Sequence, residues 1–428
     1  MTTMSHRFSP APFERPLPGG LVLRPVGDPA DVERLAVFNG HIHGPGVAAM
    51  TRALLRDHPA TRPDDWLFVE DVAARRVVAA LCLLPWVLRY EDIALQAGEM
   101  GIVGTHEAYR GRGLIRRLNE RFTDRLRAGS FDLSHIQGIP FFYRQFGYDY
   151  ALPLEADWRI APHLLPDDAP DGAAYHFRPA TLEDVPLLTR LYAEAAGHLG
   201  ISAVRDDAVW RYLLGPSLGT ATGAATFLVL DAASRAVGYA RIAAQGFGPG
   251  LIVSETSALP PEAALAVFRY LKRLATERDK PYIRLNLPED NLLVRIAHAY
   301  GGHRAGGYAW QIRLVDVPAL LLKLAPVLAR RLAASPFAGY PGRLRLDLYR
   351  QVVELQFEGG RLVAVGAPET GTADVVRLPP PLLAPLLLGY RDLPELAQSY
   401  HDVSAGGLGA ALVQVLFPKV SAFLYAPY

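Results

Sequence analysis

One pattern occurs twice in this chain and limits the folds open to it. Leu21-Val22-Leu23-Arg24-Pro25-Val26 reads as a short strand, and Asp28-Pro29-Ala30-Asp31 then opens a helix, with Asp as N-cap and Pro at the first helical position. Phe177-Arg178-Pro179-Ala180-Thr181-Leu182-Glu183-Asp184-Val185 repeats that opening. Similar element orders follow each. After the first come strands at 66–70, 77–84 and 93–105, a helix at 113–126, a strand at 133–139 and a helix starting at Pro140. After the second come strands at 226–230, 237–242 and 251–257, a helix from Pro261 and a strand at 282–287. This is a diverged internal repeat of an α/β unit. A third region from about Val317 holds an apolar helix at 320–332, a β-rich stretch at 343–365 turning at Gly359-Gly360, and a second apolar helix at 380–389.

The expected layout is α/β (α+β): a flexible leader at 1–20, α/β units at 21–160 and 173–316, and an α+β domain at 317–428. An acidic linker with a proline spans Pro162 to Gly172. Length agrees: 428 residues suggest two or three domains at about 150 each. Half the residues are hydrophobic, enough to bury cores. Forty-four basic residues against 43 acidic ones leave a net charge of +1, which disfavours a dedicated nucleic-acid binder. The single cysteine, Cys82, excludes an intrachain disulfide and a multi-cysteine metal site and fits a reducing cytoplasm. The leader lacks the apolar stretch of a signal peptide. The run from Val77 to Leu88, broken by Pro85, falls short of the roughly 20 residues needed to span a bilayer.

The chemistry is concentrated at Ile102-Val103-Gly104-Thr105-His106-Glu107-Ala108-Tyr109-Arg110-Gly111-Arg112-Gly113-Leu114. A strand ends, a Gly/Arg loop follows and a helix begins. Loop N–H groups and the helix N-terminus make an anion site. Gly111 and Gly113 let the backbone approach closely, and Arg110 and Arg112 supply charge suited to a pyrophosphate. Other motifs weigh less. Gly215-Pro216-Ser217-Leu218-Gly219 matches a nucleophile elbow, but no strand precedes it and Pro216 constrains it. His41-Ile42-His43 lacks an evident third ligand, so no metal is expected.

Arg110-Gly111-Arg112-Gly113-Leu114-Ile115 resembles the acetyl-CoA signature of the GNAT superfamily of N-acetyltransferases, with Ile115 replacing its last small residue. Pro140-Phe141-Phe142-Tyr143-Arg144-Gln145-Phe146-Gly147-Tyr148 is similar to that superfamily's later segment, a helical Tyr followed by a Phe-Gly-Tyr turn. With Leu387-Leu388-Gly389-Tyr390 and Leu416-Phe417-Pro418, the whole layout resembles the enhanced-intracellular-survival (Eis-like) acetyltransferases. These carry tandem GNAT folds, the second degenerate, and a C-terminal sterol-carrier-like domain.

The resemblance implies a cytoplasmic enzyme moving acetyl from acetyl-CoA to a primary amine by direct attack in a ternary complex. The acceptor would be aminoglycoside-like, a polyamine or a peptide lysine. A homo-oligomer is implied, a hexamer by analogy, with no metal. Val103, Gly104 and Thr105 would pair with the pantetheine amides. Arg110, Gly111, Arg112, Gly113, Leu114, Ile115 and Arg116 would cradle the pyrophosphate, and Gly138 and Ile139 would flank the cofactor arm. Tyr143 would be the acid. The base would be the terminal carboxylate of Tyr428, with Glu99 as its rival. In the second unit Pro260, Pro261 and Glu262 stand where the glycines would be, so no CoA is expected there. A reading of another class is a CoA- or lipid-binding regulatory module without turnover.

Overall fold

The structure is a computed structural model, and it describes residues 13–167 and 175–428. Most of the leader and the end of the acidic linker lie outside the described residues. The described part of the leader is not loose: β1 (Arg15–Leu17) pairs antiparallel with β2 (Leu21–Pro25).

Asp28 caps α1 (Pro29–His43) as expected, its side chain accepting from the Asp31 N–H, and α2 (Pro45–Asp57) follows. Then come β3 (Trp66–Asp71), β4 (Arg76–Tyr90), β5 (Ile93–Thr105), α3 (Leu114–Ala128), β6 (Leu133–Ile136) and β7 (Asp149–Ile160). Helix α3 buries Leu114, Leu118, Phe122 and Leu126, four residues apart, and leaves Arg116 and Arg117 in solvent. Truncating Leu118 to Ala would cost about 2–5 kcal/mol.

The second repeat holds β8 (Tyr175–Pro179), α4 (Val185–Ala196), β9 (Ile201–Ala203), α5 (Asp207–Leu214), β10 (Ala224–Asp231), β11 (Ala236–Ala243), β12 (Leu251–Thr256), α6 (Pro261–Glu277), β13 (Ile283–Leu285), α7 (Leu292–Ala299) and β14 (His303–Leu314). The two repeats share one sheet of 15 strands. They exchange their last strands: β14 pairs with β6 of the first repeat, and β7 pairs with both β14 and β13. The join is therefore a run of backbone hydrogen bonds across the middle of the sheet.

The third region begins with α8 (Val317–Lys323) and α9 (Ala325–Ala333). One helix was expected at 320–332. The chain breaks it at Leu324 because Pro326, near the start of α9, lacks an N–H to continue the ladder. Strands β15 (Arg343–Asp347), β16 (Val352–Glu358), β17 (Arg361–Gly366), β18 (Asp374–Arg377) and β19 (Ser404–Ala405) form a separate five-stranded sheet. Gly359 and Gly360, both at positive φ, turn β16 into β17. The expected helix at 380–389 is a 3-10 turn followed by α10 (Leu383–Leu387), and α11 (Leu393–Ser399) and α12 (Gly407–Leu416) complete the region. The last strand, β20 (Ala422–Phe423), runs parallel to β9, which itself pairs with the end of β4. That pairing carries the C-terminal tail back to the first repeat. No helix among the described residues is long and apolar enough to cross a membrane.

Candidate active site

Strands β5 and β6 pair in parallel only at Ala97–Glu99. Beyond that point β6 ends at Ile136 while β5 runs on to Thr105. Val103 to Thr105 therefore keep β4 on one side, where Gly104 meets Ala80 and Thr105 meets Ala79, and present a free edge on the other. The register shift opposite Cys82 is a bulge, and Ile102 there sits at φ 49, a conformation a β-branched residue seldom adopts. The irregularity of this strand is thus a bulge beside Gly101.

The free edge opens on a groove of about 580 Å³. Its wall brings together Val103, Gly104, Thr105, Arg110, Gly111, Gly113, Leu114, Ile115, Arg116, Ile139 and Tyr143. Gly113, at φ 71, is the N-cap of α3 and offers no side-chain cap, so the first N–H groups of the helix face outward. A Cβ at Gly111 or Gly113 would meet nothing within 4 Å. This leaves open space at a helix N-terminus, the shape a diphosphate needs. Arg110, Arg112 and Arg116 form no ion pair among the described residues: Arg116 donates to the Gln145 amide at 3.3 Å, and Arg112 stacks 4.8 Å above the Tyr109 ring. Two expected residues fall outside the groove wall. Arg112 is turned onto Tyr109, and Gly138 lines the neighbouring cavity. The residues present fit acetyl-CoA in charge, backbone edge and space.

Tyr143 does not stand on a helix. Pro140 was expected to start one, but the chain makes a single 3-10 turn, Phe142–Phe146, between Phe141 at φ 68 and Gly147 at φ 82. Both flanking residues are left-handed, so no α-helix can extend either way. Tyr143 is 6% exposed, and burial raises its hydroxyl well above the ordinary tyrosine range. That hydroxyl takes no hydrogen-bond partner among the described residues, although the ring lines the groove. Gly138 is required beneath it: a Cβ there would lie 2.3 Å from Tyr143 Cδ2. The Gly138 carbonyl accepts from the Tyr308 hydroxyl at 2.5 Å and from Gln311 Nε2 at 3.1 Å. Sequence reasoning missed both donors, which arrive on β14 from the second repeat.

The two rival bases meet. Glu99 is buried on β5, and the Tyr428 phenol donates to both of its carboxylate oxygens at 2.8 Å. Burial pushes Glu99 up to about 7, partly offset by the Tyr428 hydrogen bond. It is the phenol of Tyr428 that reaches Glu99. The tail is held just before it: Arg205 Nη2 donates to the Ala426 carbonyl at 2.7 Å, and His58 Nε2 lies 3.2 Å from the Pro427 carbonyl. His135, wedged edge-on between Trp86 and Trp310, backs the site with Nε2 3.9 Å from Glu99. Its burial lowers it to about 3, so the ring is neutral.

Two further cavities adjoin. One of about 500 Å³ shares Ile139 with the groove, and one of about 280 Å³ is lined by Trp310 and Tyr428. The two share Gln137, Glu155, Phe247 and Arg284. A cavity of about 930 Å³ lies between β7, β14 and the C-terminal helices; of the motif residues quoted above, Arg144, Gly389 and Tyr390 line it, and none of the expected catalytic or cofactor-binding residues does.

The discounted motifs resolve physically. Ser217 is buried in a 3-10 turn after α5, with no strand before it. His41 meets His106 and Glu107 instead of His43, their ligand atoms within 4.8 Å of one another. His106 Nδ1 accepts the Ala108 N–H at 3.2 Å, so in the neutral ring Nε2 carries the proton and points it at Glu107, 3.6 Å away.

Residues 48–151 match the family model for the acetyltransferase (GNAT) domain. With the fold, that match defines the class: the chain is an acetyl-transferring enzyme. Solved structures agree over nearly the whole length. The GCN5-related N-acetyltransferase from Anabaena variabilis is 16% identical at a TM-score of 0.68, covering 95% of this chain and 99% of its own. A probable N-acyltransferase from Enterococcus faecalis is 13% identical at 0.70, over 95% and 100%. Eis1 from Mycobacterium abscessus is 19% identical at 0.61, again over 95% and 100%. At these identities the likeness is one of fold. No curated protein matches the chain.

Proposed function

We propose that the chain is an Eis-like N-acetyltransferase that passes the acetyl group of acetyl-CoA directly to a primary amine in a ternary complex. The observation that carries this reading is the buried Tyr428–Glu99 pair, with Glu99 on β5, the strand whose free edge lines a groove of about 580 Å³ together with Tyr143. Val103 to Thr105 would hold the pantetheine amides, and the α3 N-terminus with Arg110 and Arg116 the diphosphate. Ile139 would divide the groove from the 500 Å³ cavity, which together with the adjoining 280 Å³ cavity would take the acceptor.

Tyr428 lines the acceptor cavity, whereas Glu99 lies behind it. The proton would therefore travel in two hops. As the amine nitrogen bonds to the acetyl carbon, its proton passes to the Tyr428 oxygen while the phenol proton passes to Glu99. Collapse of the tetrahedral intermediate breaks the C–S bond, and Tyr143 protonates the departing thiolate. Cys82 takes no part. It is buried, and burial raises its thiol, so it supplies no thiolate for an acyl-enzyme.

The same proposal assigns 21–160 as the catalytic unit, 173–316 as a degenerate GNAT unit and 317–428 as a sterol-carrier-like domain. The exchanged strands and the separate five-stranded sheet support that division. In the degenerate unit Pro260 caps α6 and Glu262 sits in its first turn, which suits structural support better than phosphate binding.

The test is thiol release from acetyl-CoA over a panel of primary amines. Tyr143→Phe should lower kcat about 100-fold or more and leave acetyl-CoA affinity within a few fold. Equal turnover in the variant would remove Tyr143 from the chemistry.

A further inference from the structure

Two large apolar side chains stand in solvent at the cavities assigned to the acceptor. Phe247 is 72% exposed and Ile139 64%, whereas every other large apolar side chain described, except Phe141 and Val37, is 53% exposed or less. They come from different repeats, Phe247 from the loop between β11 and β12 and Ile139 from the segment after β6, yet both line the cavity of about 500 Å³. Phe247 also lines the cavity of about 280 Å³, where Tyr428 stands. Apolar residues scattered singly over a surface are ordinary, but two that share one cavity wall mark a place for a ligand.

The exposure of Phe247 is not that of a loose loop. Arg284 Nη1 donates to its carbonyl at 3.1 Å, and Arg284 is itself buried and paired with Glu155 at 2.7 Å. Gly250 packs against the Tyr282 ring so closely that a Cβ would lie 2.2 Å from Cε2. The backbone is therefore held while the ring stays in water, a cost that an apolar ligand removes.

The charges around the ring cancel. The walls of the two cavities hold Arg159, Arg205, Arg241 and Arg284 against Glu155, Asp157, Glu255 and the terminal carboxylate of Tyr428. Arg284 pairs with Glu155 and Asp157, Arg159 with Asp157, and Arg205 and Arg241 with Glu255. A balanced wall whose acidic side chains are all paired offers a polycation no row of anions and an amino acid no surplus cation.

We infer that the acceptor is a primary amine carrying a single charge on an apolar body, and that Phe247 is the residue that selects it. This rests on the acetyl-transfer reading above and deepens it. The amine enters the smaller cavity beside Tyr428, and the apolar body settles on the Phe247 ring, which borders both cavities, and on Ile139. Covering an exposed aromatic ring is worth about tenfold or more in affinity. Polyamines and aminoglycosides, hydrophilic and multiply charged, gain nothing from either side chain.

The experiment uses the full chain, acetyl-CoA and thiol release. The acceptors are phenylalkylamines from phenethylamine to 4-phenylbutylamine, each paired with the amino alcohol of the same chain length, plus spermidine and 4-aminobutyrate. The inference expects at least one phenylalkylamine to exceed its amino alcohol about tenfold or more in kcat/KM, and to exceed spermidine and 4-aminobutyrate. Phe247→Ser should lower that ratio about tenfold through KM, and Phe247→Leu should restore most of it. The ring is exposed, so neither variant threatens the fold. Amino alcohols, spermidine or 4-aminobutyrate turned over as well as the phenylalkylamines overturn this inference alone. So does a ratio that Phe247→Ser leaves intact; if that variant also sediments at a lower mass than wild type, the ring belongs to an interface between copies of the chain. Acetyl-CoA binding without thiol release to any amine overturns the acetyl-transfer reading and this inference with it.

Discussion

Replacing Glu99 by Gln should cost the enzyme its activity and stabilise its fold at alkaline pH. Glu99 is buried and moves from an unfolded value of 4.5 to about 7. A folded value above the unfolded one means that the native state holds a proton the unfolded chain has released. The stability this supplies is fully present below pH 4.5 and is lost as pH rises to about 7. At about 1.4 kcal/mol per pH unit, the loss amounts to roughly 3 kcal/mol. Glutamine has the same shape, can still accept the Tyr428 hydrogen bond and does not titrate. The stability of Glu99→Gln relative to wild type, from denaturant unfolding, should thus rise by about 3 kcal/mol between pH 4.5 and pH 8. Over the same range kcat/KM of the wild type should climb with an inflection about pH 7, since the base must be ionised to accept the amine's proton. A stability difference that stays flat with pH would show that Glu99 is an ordinary carboxylate and would remove the reason for treating it as the proton's destination.

Other outcomes follow from the same contacts. Tyr428→Phe cuts the relay between cavity and Glu99, so kcat should fall about 100-fold or more while calorimetric acetyl-CoA affinity stays unchanged. Deleting residues 426–428 should do the same, and a full-speed deletion would place the base elsewhere. Gly138→Ala forces the Tyr143 ring from its seat, since the new methyl would lie 2.3 Å from Cδ2, and should lower kcat more than it raises the acetyl-CoA KM. Arg205→Ala removes the 2.8 Å partner of the buried Glu255, leaving it Arg241 and the Tyr239 hydroxyl, and releases the tail, so it should destabilise the fold by about 1.5–3 kcal/mol in chemical denaturation.

What was legible in the sequence was local. The Gly/Arg loop could be read because a helix N-terminus and its glycines declare themselves within a few residues, and Asp28-Pro29 announced α1 by its own capping chemistry. Tyr143 was found by position, yet its turn was misread as a helix, because the left-handed Phe141 carries no compositional mark. The contacts that complete the site were not legible. Tyr428 and Glu99 are 329 residues apart. Tyr308 and Gln311 reach Gly138 only because β14 exchanges into the first repeat.

Calorimetric titration of acetyl-CoA into the wild-type chain and into Gly113→Asp tests the thioester groove most directly. The new carboxylate would project from the α3 N-terminus into space the structure leaves open, in the loop that carries Arg110 and Arg112, which form no ion pair among the described residues. Saturable one-to-one binding by the wild type, weakened 100-fold or more in the variant, is the expected result. Equal affinities, or no heat from either protein at millimolar ligand, would contradict it.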